Sequence, residues 1–290
     1  MITRQLILPL VSHFDETFFF MPKLHTFKTI ILTVFALAIL SACKKDKPGG
    51  GGVNLFTIED DKAFGAQVAA EIDRDNVTYP ILDSAQYPMA YGYLYAIRDS
   101  ILNSGNVVHK DDFNWRLRIV NDDSVLNAFC TPGGYIYVYT GIIKFLSAEN
   151  EFAGVMGHEI AHADERHSTQ ALTKAYGIDV LFSILLGENQ GTISQIAKGL
   201  INLSYSRDNE SESDRRSIEY LYPTAYDARG VARFFEKIID AGGGSGPQFL
   251  STHPNPENRV EAIIAHWESL GDKTGETFET RYKQFQNSLP

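Results

Sequence analysis

Five consecutive residues constrain this chain more than any others: His158-Glu159-Ile160-Ala161-His162. On a helix, residues four apart stand on one face, so both imidazoles can reach a single ion. Zinc takes imidazole nitrogen readily, and a catalytic zinc keeps three protein ligands and one open position for water. Glu159 adjoins that face, where it can accept a proton from the water. The flanks predict a buried helix. Phe152, Met156 and Ile160 recur every four residues. Ser147 makes a good N-cap, Glu149 and Glu151 suit the first turn, and the helix is expected to run to about His167. The plain alternative, a helix surface with two unrelated histidines, fits these apolar neighbours poorly.

Two histidines leave the centre one ligand short. The stretch from Tyr205 to Asp214 (YSRDNESESD) offers carboxylates on a helix expected over about Asp208 to Leu221. Glu210 and Asp214 lie one turn apart. Glu210 is the preferred third ligand, giving the gluzincin pattern of a Glu donated by a second helix. Glu212, on a different face, is its competitor. Asp214 can hold a ligating imidazole by its other nitrogen and so fix tautomer and orientation.

The rest of the chain reads as an α+β domain, mainly helical with a small antiparallel sheet. Helical stripes are expected at Ile58, Phe64, Val68 and Ile72, and at Met89, Tyr93, Ile97 and Ile101. Phe113, Trp115, Leu117 and Ile119 alternate with polar neighbours as a half-buried strand does. Pro132-Gly133-Gly134 is a turn, and Tyr135 to Tyr139 (YIYVY) is a second strand. Residues 169–206 hold two apolar helical stretches. Further helices follow Asp227 and Pro256, separated by the loop Gly242 to Pro247.

The N-terminus speaks to location. Thr29 to Leu40 is a 12-residue apolar run behind Lys23 and Lys28. A membrane-spanning helix needs about 20 such residues, whereas a basic start and a short apolar run before small residues make a secretory signal. Leu40-Ser41-Ala42-Cys43 resembles a bacterial lipobox, which implies cleavage before Cys43 and acylation of it. Residues 1–42 are therefore expected to be a signal peptide, with the true start at Met21 because Asp15 and Glu16 suit no n-region. Residues 43–56 become a lipidated cysteine and a Lys- and Gly-rich tether, and residues 57–290 the folded domain. Lys44 after Cys43 favours the outer membrane over retention in the inner one. With Cys43 acylated, Cys130 has no partner for an intrachain disulfide and reads as a small apolar core residue. The net charge of −10, with no basic cluster after Lys47, excludes nucleic acid as a partner.

At this point the chain resembles the M48 metallopeptidases. Asn127-Ala128-Phe129, Gly133-Gly134 and Thr140-Gly141 match that family's run before its active-site helix. Glu149 to His162 (ENEFAGVMGHEIAH) matches its zinc helix, Ser206-Arg207 with Glu210 and Asp214 its third-ligand helix, and Thr252-His253-Pro254 with Arg259 its C-terminal histidine segment. The chain departs from the family at Ser213, where Ala is usual, and at Ala225-Tyr226-Asp227. The resemblance implies a zincin-type domain holding one zinc per chain, and an endopeptidase that cleaves misfolded or envelope proteins. It implies a protein facing the periplasm in contact with envelope assembly machinery. It also implies that Tyr135–Tyr139 lines the cleft and pairs with an extended peptide. His253 stays open to three roles: a hydrogen-bond donor to the oxyanion, a group that takes the open metal position and keeps the enzyme latent, or a plain loop histidine. His109 and His167 read as surface residues, and Arg259 as fixing the C-terminal segment. Two rivals stand beside the peptidase: a weakly active, chaperone-like binding module, and a small-molecule metallohydrolase.

Overall fold

The computed structural model describes residues 53–176, 202–241, 248–253 and 258–290, with isolated positions between 191 and 200. The expected signal peptide and Cys43 lie outside the described residues.

Helix α1 (Ile58–Arg74) opens the domain with a reciprocal cap. The Asp60 amide donates to Thr57 Oγ1 at 3.1 Å, and the Thr57 amide donates to the Asp60 carboxylate at 2.8 Å. Its buried stripe is Phe64, Val68 and Ile72, as the periodicity predicts. Helix α2 (Pro88–Leu102) follows, with Leu94, Ile97 and Ile101 inside. Met89 falls off the expected stripe and is 80% exposed.

Three strands come next: β1 (Arg116–Val120), β2 (Ala128–Thr131) and β3 (Tyr135–Tyr139). Their order is β1-β3-β2, with β2 antiparallel to β3 and β1 parallel to it. The sheet is thus mixed, which corrects the expected antiparallel one. The turn at Gly133-Gly134 sends β3 back between β2 and β1, so β3 opposes its hairpin mate and runs alongside β1. Alternating burial reports which face a residue occupies and carries no information on strand direction. Trp115 sits at φ 46, so β1 begins only at Arg116, although Phe113 and Trp115 are buried as the alternation requires.

Helix α3 (Thr140–Phe145) leads to α4 (Glu149–Asp164), the axis of the domain. Every residue of α4 except Glu151 is buried, so it is apolar or chemically committed all round. Ser147 is not its N-cap; Ala148 is, and the Ser147 amide donates to the Glu151 carboxylate at 2.7 Å. The helix ends three residues short of His167, at a left-handed Arg166 (φ 60), and α5 (His167–Ala175) starts anew.

Helices α6 (Arg207–Leu221) and α7 (Gly230–Asp240) pack on α4 at close range. A Cβ on Gly154 would stand 2.2 Å from the Val231 nitrogen, and one on Gly157 would stand 2.8 Å from Ser217 Oγ. Glycine at both places lets the two backbones approach the metal helix. Helices α8 (Gln248–Thr252), α9 (Arg259–Ser269) and α10 (Glu279–Gln286) complete the described elements. Helix α10 has no counterpart among the expected elements. Apolar side chains of α2, α4, α7 and α9 form the main core, while α1 covers the aromatic residues Phe129, Tyr135, Tyr137 and Tyr139 of the sheet.

Candidate metal centre

His158 and His162 sit one turn apart on α4, both buried, with their Nε2 atoms 3.0 Å apart. Glu210 reaches them from the first turn of α6. Its Oε2 lies 3.4 Å from His158 Nε2 and its Oε1 3.4 Å from His162 Nε2. His253, just after α8, brings Nδ1 to 3.3 Å from His158 Nε2 and 3.1 Å from Glu210 Oε1. Ligand atoms from all four residues lie within 4.8 Å of one another. Around one zinc at about 2.1 Å, neighbouring tetrahedral ligands stand roughly 3.4 Å apart. The observed separations of 3.0 to 3.4 Å match that edge. Three imidazoles turned on one carboxylate, all fully buried, are a donor set that suits zinc.

Neighbouring groups hold these side chains. Asp214 Oδ1 lies 2.9 Å from His158 Nδ1, and Arg259 clasps Asp214 with two bonds of 2.6 Å. A third Arg259 nitrogen lies 3.1 Å from Glu210 Oε2, and its guanidinium stacks 4.0 Å over Phe235. Arg259 therefore ties α9 to two carboxylates of α6, Glu210 and Asp214. Glu212 lies outside the cluster; its Oε2 is 3.3 Å from His167 Nε2.

Glu159 is 1% exposed, and its Oε1 lies 3.4 Å from His253 Nε2. The Cys130 amide on β2 also donates to it. Burial pushes the Glu159 carboxyl above its ordinary range, against the pull of His253 and His158. Burial alone would depress His158, but hydrogen bonds to Asp214 and Glu210 outweigh it and lift it to about 9. For His162 burial prevails and holds it well below the usual imidazole value. Glu210 and Asp214 stay below the carboxylate range despite burial, because of His253 and the two α4 histidines for Glu210, and Arg259 and His158 for Asp214.

Two expectations need correction. His167 is no surface residue: it is 1% exposed, and its Nδ1 stands 3.0 Å from His162 Nδ1. The break at Arg166 turns it back toward α4. Strand β3 is not free to receive a peptide either, since it is paired on both sides. Among the described residues, the edge left without a strand partner beside Glu159 belongs to β2. Cys130 is buried there, as expected of a small apolar residue, and burial pushes its thiol up. His109 is partly exposed and bonded to Asp112 at 2.8 Å. Tyr205 joins the site with no signal in the sequence to mark it. Its ring stacks on His162 with centroids 4.0 Å apart, its amide donates to the Thr252 carbonyl at 3.2 Å, and its hydroxyl meets Ser168 Oγ at 2.8 Å. No spacing rule links it to the histidines.

Comparison with known proteins agrees with this geometry. The model of Peptidase family M48 matches residues 91–266. Metalloprotease YcaL of Escherichia coli K12 is 30% identical over 255 residues, covering 81% of this chain and 95% of that protein. The mitochondrial metalloendopeptidase OMA1 of Arabidopsis thaliana is 32% identical, covering 58% of this chain and 36% of its own length. The beta-barrel assembly-enhancing protease of E. coli K12 is 30% identical over 60% of this chain and 38% of its own length. The chain thus spans little more than a third of the last two relatives. With more than half its length matching the family model, the chain belongs to peptidase family M48, the zinc metallopeptidases.

Proposed function

We propose that His158, His162 and Glu210 hold one zinc ion, and that Glu159 is the general base of an endopeptidase acting on proteins of the bacterial envelope. The observation that carries this reading is the convergence of two α4 imidazoles and the α6 carboxylate, with Glu159 buried beside them. A zinc ion held there supplies Lewis acidity, which acidifies water and polarises a peptide carbonyl. Glu159, whose proton affinity burial raises, takes a proton as the water oxygen attacks the carbonyl carbon. It then returns that proton to the amide nitrogen as the C–N bond breaks. The β2 edge, whose Cys130 amide already points at Glu159, can align an extended peptide across the centre. Glu159→Gln should lose about 10²–10⁴-fold in casein cleavage while keeping its zinc. Undiminished cleavage by the zinc-loaded variant would reject the role. Undiminished hydrolysis of small esters beside absent proteolysis would favour the small-molecule hydrolase.

The envelope assignment rests on the expected signal peptide and Cys43 anchor and on the similarity to a beta-barrel assembly-enhancing protease. Quality control of misfolded envelope proteins at the outer membrane is the activity we infer. Among the described residues no helix is long and apolar enough to cross a membrane.

A second reading has its own support. His253 Nδ1 lies at ligand spacing from both His158 and Glu210, which favours a latent state over an oxyanion donor. In that state the protein is a weakly active, chaperone-like binder. His253→Ala then raises proteolysis, whereas loss of an oxyanion donor lowers it.

A further inference from the structure

We propose that His167, backed by Glu212, is a positioning device that fixes the tautomer and orientation of His162. The inference rests on the metallopeptidase reading above. The two α4 histidines are held differently. His158 Nδ1 faces a carboxylate directly, at 2.9 Å from Asp214. His162 Nδ1 faces His167 Nδ1 at 3.0 Å instead.

The chemistry of that contact admits one arrangement of protons. To offer a lone pair from Nε2, a neutral His162 must carry its proton on Nδ1. That N–H donates to His167 Nδ1, which must then be unprotonated. The His167 proton is thereby placed on Nε2, which lies 3.3 Å from Glu212 Oε2 and donates to it. A carboxylate near the surface therefore sets the tautomer of a fully buried ligand two bonds away. Ser213 Oγ also lies 3.4 Å from His167 Nδ1.

Local structure serves the same end. Arg166, left-handed at φ 60, breaks the helix and aims His167 back at α4. Its guanidinium bonds Asp61 Oδ2 and the Phe56 carbonyl, each at 2.5 Å, so α1 holds the break in place. Tyr205 stacks on one face of the His162 ring with centroids 4.0 Å apart while His167 pins Nδ1. The imidazole is thus fixed against both tilt and rotation.

The test is zinc affinity of the full chain, by competition with a fluorescent chelator, beside the melting temperature of the metal-free protein. His167→Ala should weaken zinc binding about 10–100-fold while metal-free melting stays near wild type. His167→Gln, whose side-chain oxygen can accept from His162 Nδ1, should restore most of that loss. Glu212→Gln keeps a neutral acceptor and should weaken binding less than His167→Ala does. Wild-type affinity in His167→Ala overturns the proposal. So does an equal loss in His167→Ala and His167→Gln together with lowered metal-free melting, which marks a packing role. His158→Ala separates the two levels. If it too binds zinc like wild type, the metal centre itself is refuted; if it loses zinc while His167→Ala does not, only the positioning role falls.

Discussion

Two of the buried acids of helix α4, Glu149 and Glu159, are treated in opposite ways. Glu149, at its first turn, is 1% exposed and accepts from three partners: the hydroxyls of Tyr93 and Tyr226 and the guanidinium of Arg281. Both of its carboxylate oxygens are hydrogen-bonded. Glu159, three turns on, is as deeply buried, yet its Oε1 has no hydrogen-bond partner among the described residues. A buried polar atom left unpaired costs roughly 1–3 kcal/mol. Glu149 thus fastens α10 and α2 to the start of the metal helix, and the fold gains from it. Glu159 is left with an unpaired oxygen at the cost of stability, which fits the general base proposed above. On this helix the fully hydrogen-bonded Glu149 is the structural carboxylate, and the one with an unpaired oxygen is the proposed general base.

The largest expected effect separates the two acids by activity. Glu159→Gln should abolish proteolysis by about 10²–10⁴-fold with melting at or above wild type, measured by casein cleavage and calorimetry. Glu149→Ala should do the reverse. Losing the partner of Arg281 and two tyrosines should cost about 3 kcal/mol, a melting drop on the order of 6–12 °C, with zinc content per folded chain unchanged. Tyr226→Phe removes one neutral donor, 2.5 Å from Glu149 Oε1, and should cost about 1 kcal/mol by urea unfolding. The smallest effect belongs to the cap of α1: Thr57→Ala should lose about 1 kcal/mol or less, with no change in activity. If Glu149→Ala lost activity without losing stability, the contrast between the two acids would fail.

Much of this was legible in the sequence because helical spacing acts locally. Spacing puts His158 with His162 on one helix face and Glu210 with Asp214 on another; that the two faces meet was expected from the gluzincin pattern and the family resemblance. The sheet's mixed direction was not legible, since period-two burial is the same for parallel and antiparallel neighbours. His167 was misread because its place depends on a left-handed Arg166, which α1 holds through Asp61, a contact spanning 105 positions. Ser147 looked like a cap, but Glu151 reaches back to its amide and the helix starts a residue later. Met89 fitted a stripe by spacing, yet the first turn of α2 leaves it in solvent.

The most direct test of the centre is X-ray absorption at the zinc edge of the purified chain. The expected spectrum shows one zinc per chain with nitrogen and oxygen donors at about 2.0–2.2 Å, outer-shell scattering from at least two imidazoles, and no sulfur. A sulfur neighbour near 2.3 Å, or scattering from fewer than two imidazoles, would contradict it.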